Sequence, residues 1–366
     1  MYFSCLSLCG LCACVLPVYG VIKNNNSNVR AAVRMLMSDD SPANPSPESL
    51  KALNEKHPAA SSTLSDLPAP QPTEHCISVD ENEIRRAALS FPAGSAGGPD
   101  GVRPQHIRDL LMCREAGADF LSALTDFTNL VIAGRCPEAV APVFFGGRLL
   151  ALSKKTGRIR LIDIGFTLRR LASKCANSFG TKKLASFFYP HQLGIGTPGG
   201  CEAAVHSARR YLEALPEDHV LVKLDFSNAF NSIHRREMLL AVHSRMPELY
   251  SFCCSAYNQP SVLFFGQYTV QSQEGAQQGD PIGPLLFCNT IQPLLSSLRS
   301  NLNIGYLDDV TLTWWLLVWR RSCELAHLHF EHSHLILFFF VAFFVYVKPP
   351  CFLIFLSHFV FFMLDA

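Results

Sequence analysis

The sequence predicts an α+β protein in which helices pack around a small antiparallel sheet, and three observations point there. Residues 220–225 alternate Val220, Val222 and Leu224 with Leu221, Lys223 and Asp225, the period of two expected of a strand that ends on an acid. Residues 305–312 place two short apolar runs around Asp308-Asp309, a hairpin with carboxylates at its turn. Around these, 168–184, 201–215, 233–246 and 285–298 have helical spacing. One acid at the tip of an apolar strand ordinarily caps the next helix. A second acidic tip favours another reading. Adjacent carboxylates repel, a divalent cation removes that cost, and acidic tips on neighbouring strands are what two-metal phosphoryl transfer requires, with ions roughly 3.5–4 Å apart.

Three motifs occur in order: Asp225 with the aromatic Phe230 five residues on, Gln278-Gly279-Asp280-Pro281, and Tyr306-Leu307-Asp308-Asp309. They resemble motifs A, B and C of reverse transcriptases. The segment Ser95-Ala96-Gly97-Gly98-Pro99-Asp100-Gly101-Val102-Arg103-Pro104-Gln105-His106 is similar to the entry segment of the non-LTR retrotransposon type. Each motif alone is weak, whereas the ordered set is specific. The resemblance covers about residues 29–312.

It implies a right-hand polymerase, with fingers over 79–219, a palm with its small antiparallel sheet over 220–312, and no thumb. The implied reaction is RNA-directed DNA synthesis, in which a dNTP is joined to the 3′-hydroxyl of a DNA primer on an RNA template. Asp225, Asp308 and the carbonyl of Phe226 would hold two Mg²⁺, with Asp309 shaping the field. Mg²⁺ suits such a set because it prefers hard oxygen ligands. The aromatic ring of Phe230 would block a ribose 2′-hydroxyl, and Gln278 and Gly279 would lie against the new base pair. Lys154, Lys155 and Arg158 would cap a hairpin that closes over the nucleotide, and Arg160 would meet its phosphates. Arg169, Arg170, Lys174, Gly194 and Tyr306 would serve template and primer. Two departures stand out near Arg160: Leu161 replaces the family's usual proline, and Asp163 adds an acid. Beyond 312 the family's lysine-bearing strand and helical thumb are not recognisable. A second reading follows: an inactive, truncated remnant that at most binds nucleic acid.

Net charge is +1, so overall balance gives no hint of a nucleic-acid partner. Distribution does, because 154–183 carries nine Lys or Arg and the single acid Asp163. Fourteen cysteines in 366 residues are too dispersed for a disulfide scaffold and read as reduced core residues of an intracellular protein, nuclear or cytoplasmic rather than secreted.

In chain order, 1–28 is an apolar then polar leader outside the resemblance. Its first twenty residues lack the basic start of a signal peptide. Residues 29–37 are predicted as a short helix. The Pro-, Ser- and Ala-rich stretch 38–73 reads as a linker or extended arm, so that 29–78 contributes no packed core. Helices are predicted at 79–89, 104–112 and 118–133, the last closed by Gly134. Between the first two, 94–101 is a glycine-rich turn without the Gly-Lys-Ser/Thr of a phosphate loop. Strands at 143–152 and 160–164 flank the basic turn 154–158. The segment Gln192-Leu193-Gly194-Ile195-Gly196 resembles one that lies along the template. A single strand is expected over 262–270, and Pro293 should kink or divide the helix over 285–298. In the tail, 313–366, the apolar runs 335–347 and 351–364 each fall short of the ~20 residues that span a bilayer. A membrane contact through 335–364 is the lesser reading, and flanking sequence outside the fold the preferred one. His327, His329, His332 and His334 lack the companions of a metal site. No protein partner can be inferred.

Overall fold

The computed structural model describes residues 41–61, 63–70, 72, 75–153, 159–215, 219–226, 228–298, 300–315, 337–347 and 354–362. The elements, in order, are β1 (Ser41–Pro42), α1 (Pro47–Glu55), α2 (Glu81–Leu89), α3 (Pro104–Leu111), α4 (Gly117–Ile132), α5 (Ala141–Phe144), β2 (Gly147–Ser153) and β3 (Ile159–Gly165). Next come α6 (Thr167–Lys183), α7 (Ala185–Phe188), α8 (Gly200–Glu213), β4 (His219–Phe226), α9 (Ala229–Ser232), α10 (Arg235–Arg245) and α11 (Tyr250–Tyr257). The chain continues through β5 (Ser261–Phe265), β6 (Tyr268–Ser272), α12 (Gly283–Ser297), β7 (Asn303–Tyr306), β8 (Asp309–Trp315), β9 (Leu337–Val347) and β10 (Ile354–Phe362). The mixture of helices and small sheets is the expected α+β class.

Two five-stranded sheets carry the strands. In the first, β2 pairs antiparallel with β3 along its length, while its other edge is shared by β1 and, in parallel, β5. The second runs β10-β9-β4-β8-β7, antiparallel throughout. The main core lies among α2, α4, α6, α10, α11 and α12 and reaches the underside of β4 and β8 through Val222, Leu224, Val310 and Leu312. A smaller core, Leu53, Leu149, Ala151, Leu161, Leu263, Phe265 and Val270, lies between α1 and the first sheet.

Local chemistry accounts for the helix ends. Asp80 and Glu83 form a reciprocal capping box at the start of α2, each side chain accepting the other's N–H. Gly134, with φ +73°, follows α4 in the left-handed region that glycine tolerates. Inside α12, Pro293 removes the N–H that would serve the carbonyl of Asn289. That carbonyl instead accepts from Arg245 Nη2 at 2.6 Å, while Arg245 Nε donates to Asn289 Oδ1 at 2.6 Å. The helix runs from Gly283 to Ser297 without the division that was one of the two expected outcomes.

Three other expectations change. The strand predicted over 262–270 is the hairpin β5–β6, because Gly266 at φ +58° turns the chain between Phe265 and Tyr268. The Pro-rich stretch is docked rather than loose. Ser46 caps α1, Pro47 opens it, and Leu53 is fully buried. Beyond α1, the Lys56 carbonyl accepts from Asn228 and Asn231 at 2.9 and 3.1 Å, and Ser61 donates N–H and O–H to Glu274 at 2.8 and 2.7 Å. Asp66 pairs with Arg236 at 2.8 Å, and the Pro68 carbonyl accepts from Tyr250 at 2.8 Å. Finally, the apolar tail expected outside the fold contributes β9 and β10, with β9 paired to β4 from Val220 to Phe226. A run such as Leu337–Val347, rich in Phe and Val, has high strand propensity. Among the described residues no helix is long and apolar enough to cross a membrane. Residues 29–37 and the tail histidines 327, 329, 332 and 334 lie outside the described residues.

Candidate active site

The register of the second sheet brings two of the three motifs together. Asp225, described through its backbone alone, is the Cα partner of Asp309, and Asp309 is also the partner of Tyr306 across the β7–β8 turn. Asp308 occupies that turn, one residue from the pair. A strand tip and a hairpin tip separated by some eighty positions of chain are thus adjacent at one end of the sheet. Lys223 shares the face of Asp225, two residues away, and its Nζ lies 3.0 Å from Asp309 Oδ1. Burial, chiefly, and the charge of the Asp308 carboxylate push the Cys288 thiol far above its ordinary range. Among the described side chains no three His, Cys, Asp or Glu gather as metal ligands. Asp225 beside Asp308 and Asp309 would make a donor set of hard carboxylate oxygens, the kind that fits Mg²⁺.

The turn itself is unusual. Leu307 has φ +57°, a left-handed conformation that costs a branched residue roughly 1–2 kcal/mol. Its side chain packs on the main core. The fully buried Gln192 holds its backbone: Oε1 accepts the Leu307 N–H at 2.8 Å and Nε2 donates to the Leu307 carbonyl at 3.1 Å. Gly194 abuts the same turn, and a Cβ there would come within 2.5 Å of Leu307 N. In this structure half-buried Gly194 therefore packs against the acidic turn.

The third motif is fixed by a buried ionic network. Asp280 accepts from Arg169 Nη2 at 2.7 Å and from the Tyr257 hydroxyl at 2.6 Å. Arg169 is 1 % exposed, and its Nη1 donates to the Phe145 and Gly146 carbonyls at 2.5 and 3.2 Å. Burial raises the Asp280 carboxyl, but Arg169 and Tyr257 outweigh it and hold the group below its usual range. Asp163 joins the cluster from β3. Burial, with a contribution from Asp280, pushes its carboxyl up to about 7 against the opposing pull of Arg169. Its Oδ1 has no hydrogen-bond partner, and its N–H donates to the Gln278 carbonyl at 2.9 Å. Gly279, at φ +121°, passes so close that a Cβ would lie 2.0 Å from the Asp163 carbonyl oxygen. Residues 163 and 278–280 are thus one packed unit beneath exposed Gly279 and half-buried Gln278.

Phe230 is half-buried, its ring 4.9 Å from that of Phe287, and its carbonyl accepts from Ala276 N at 2.8 Å. That bond ties the segment after Asp225 to the loop before α12. The basic stretch is less of a surface than its charge count suggests. Buried Arg169 cannot face a phosphate here, which corrects its assignment to template and primer. Arg170 donates to the Ala96 carbonyl at 2.8 Å and lies over the Phe91 ring, as does Lys174. Lys174 lines a groove of about 710 Å³ with Glu83, Arg86 and Lys182. Tyr306 is 36 % exposed at the sheet end. Arg160 is described through its backbone, opposite Leu152. Lys154, Lys155 and Arg158 lie outside the described residues.

Sequence reasoning did not assign Gln192, Tyr257 or Asp280 a task. A signal existed for Asp280, which stands within the motif Gln278-Gly279-Asp280-Pro281. None marked Gln192.

Residues 152–314 match the family model described as reverse transcriptase (RNA-dependent DNA polymerase). The chain is also 28 % identical over 251 residues to the retrotransposable element SLACS 132 kDa protein of Trypanosoma brucei gambiense, an alignment covering 64 % of this chain and 20 % of that protein. The chain thus spans about a fifth of the length of the relative it matches.

Proposed function

We propose that the chain, whose residues 152–314 match the reverse transcriptase family model and which resembles a retrotransposable element protein, is an RNA-directed DNA polymerase. It would add dNTPs to the 3′-hydroxyl of a DNA primer paired to an RNA template. The observation that carries the reading is the register of Asp225 against Asp309, with Asp308 in the adjoining turn. Asp225, Asp308 and the Phe226 carbonyl would hold two Mg²⁺, which when bound would acidify the primer hydroxyl and neutralise charge on the leaving phosphates. In this reading the second sheet is the palm and the helices before it the fingers, and no helical thumb lies among the described residues.

The protein's own residues do the rest. Lys223 offsets the charge of Asp309, so that the three carboxylates are less mutually repulsive. Phe230, braced on Phe287, stands where a ribose 2′-hydroxyl would enter and favours deoxynucleotides. Gln278 and Gly279, fixed from below by Asp163 and Asp280, offer a close-packed backbone to the incoming base pair. Arg160, with Lys154, Lys155 and Arg158, would receive the triphosphate. Arg170, Lys174 and Tyr306 would meet template and primer, mainly through phosphates and therefore with little sequence readout.

One feature favours the second reading, a non-copying remnant that binds nucleic acid. The strand beside β4 comes from Leu337–Val347, beyond the matched residues. Primer extension by the purified chain on an RNA template, with dNTPs and Mg²⁺, separates the two. Mg²⁺-dependent cDNA is expected, and Asp308→Ala should lower it by more than the ~10–100-fold typical of losing an outer-shell partner. Equal extension by variant and parent would overturn the metal-site assignment, and no extension by the parent would favour the remnant.

A further inference from the structure

Gln192 lies 115 positions from Leu307 in sequence, yet its carboxamide completes the backbone hydrogen bonding of that residue. Oε1 also accepts the N–H of Gly194 at 2.9 Å, so one side chain joins two segments. The flanking backbone reinforces the junction: Leu193 N–H donates to the Gly305 carbonyl at 2.8 Å, and Gly305 N–H to the His191 carbonyl at 2.7 Å. A Cβ at Gly305 would lie 2.6 Å from Leu295 Cδ2 and 3.0 Å from Gln192 Nε2, so that those side-chain ends would have to shift. The carboxamide therefore acts as a short strand segment laid along the turn.

The residue it holds is a leucine in a conformation that glycine would adopt freely. Strain of that kind persists only where the surroundings over-determine it. The next residue is Asp308. The direction in which Asp308 leaves the chain depends on the backbone of residue 307, and that backbone is fixed on both its polar groups by Gln192.

We propose that Gln192 is a positioning residue that sets the geometry of the Asp308 carboxylate for divalent metal. The proposal rests on the polymerase reading of the sheet end, and its test separates the two. Gln192→Met keeps length and volume but removes both hydrogen-bonding groups. Gln192→Asn keeps the amide but withdraws it by one methylene. Three quantities are measured on the full chain: Mn²⁺ affinity by paramagnetic titration without substrate, the Mg²⁺ concentration giving half-maximal primer extension, and Tm. Tyr250→Phe, which deletes the buried bond to the Pro68 carbonyl, is the control for general loss of stability.

Both Gln192 variants should weaken Mn²⁺ binding and raise the Mg²⁺ midpoint by about tenfold, the lower end of outer-shell effects, while the control moves Tm alone. Restoring extension at high Mg²⁺ would further mark a binding defect rather than misfolding. Unchanged Mn²⁺ affinity in a folded variant overturns the proposal, as does an equal change in the control or a parent that binds no Mn²⁺. If the parent binds Mn²⁺ through Gln192-dependent geometry yet extends no primer, the positioning role stands and the polymerase reading falls.

Discussion

Replacing Asp163 by asparagine should stabilise the protein, and do so only toward neutral and alkaline pH. The carboxyl is 4 % exposed, and Oδ1 has no partner. In the fold it titrates near 7, against 3.8 in the open chain. At ~1.36 kcal/mol per pH unit, holding it ionised above pH 7 costs about 4 kcal/mol relative to the unfolded chain. Because the folded value is the higher one, the native state binds the extra proton between about pH 4 and 7. The contribution of Asp163 is therefore harmless below pH 4, grows more destabilising as pH rises, and levels off above 7. Relaxation and water entry reduce such figures, so a gain of roughly 1–3 kcal/mol is expected for Asp163→Asn at pH 8. Urea unfolding of parent and variant at pH 5, 6, 7 and 8 reads this directly. The two curves should converge at the acid end and diverge upward. Asp280, depressed by Arg169, titrates in the opposite sense in both proteins and cancels in the difference. Parallel curves, or an Asp163→Asn variant less stable at pH 8, would refute the reasoning.

Other consequences can be checked with single variants. Arg169→Met should leave Asp280 and Asp163 buried without their cation and cost about 3–5 kcal/mol in urea unfolding; a loss below 1 kcal/mol would mean that water compensates. Phe230→Ala should raise use of ribonucleotides relative to deoxynucleotides by ~10–100-fold in kcat/KM, whereas a purely packing role would lower both together. Arg245→Ala strands the Asn289 carbonyl and should cost about 1–3 kcal/mol. Adding Pro293→Ala should recover part of that, because residue 293 regains the N–H that the carbonyl lacks.

The elements legible in the sequence were those whose periodicity follows from burial. Strand β4 alternates because one face meets the core through Val222 and Leu224, and α2 announces itself through Asp80 and Glu83. The approach of Asp225 to the Asp308 turn was legible through the order of the three motifs more than through periodicity, since period-two patterns do not say which strands pair. Composition misled in three places. Proline content concealed α1, although Ser46-Pro47-Glu48 is a cap signature. Counting positive charge made Arg169 a surface group, although Arg169, Ala172, Ser173 and Ala176 are spaced as one buried face of α6. The tail looked foreign because its runs of Phe match no globular average, yet strand propensity alone suffices for β9 to extend the sheet. Gln192 was invisible for a different reason: a side chain that substitutes for backbone leaves no local pattern.

The docked arm from Lys56 to Pro68 has a practical corollary. The matched region starts at residue 152, which invites excision of 152–314 as a minimal unit. Such a fragment would keep Glu274, Asn231, Arg236 and Tyr250 but lose the groups they grip. A buried carboxylate held at about 2 by His234, Ser61 and the Arg235 N–H would be stripped of part of that support. The boundary drawn by homology and the boundary drawn by folding differ by roughly a hundred residues. Expression trials that begin upstream of the docked arm, rather than at the first matched residue, would respect the latter.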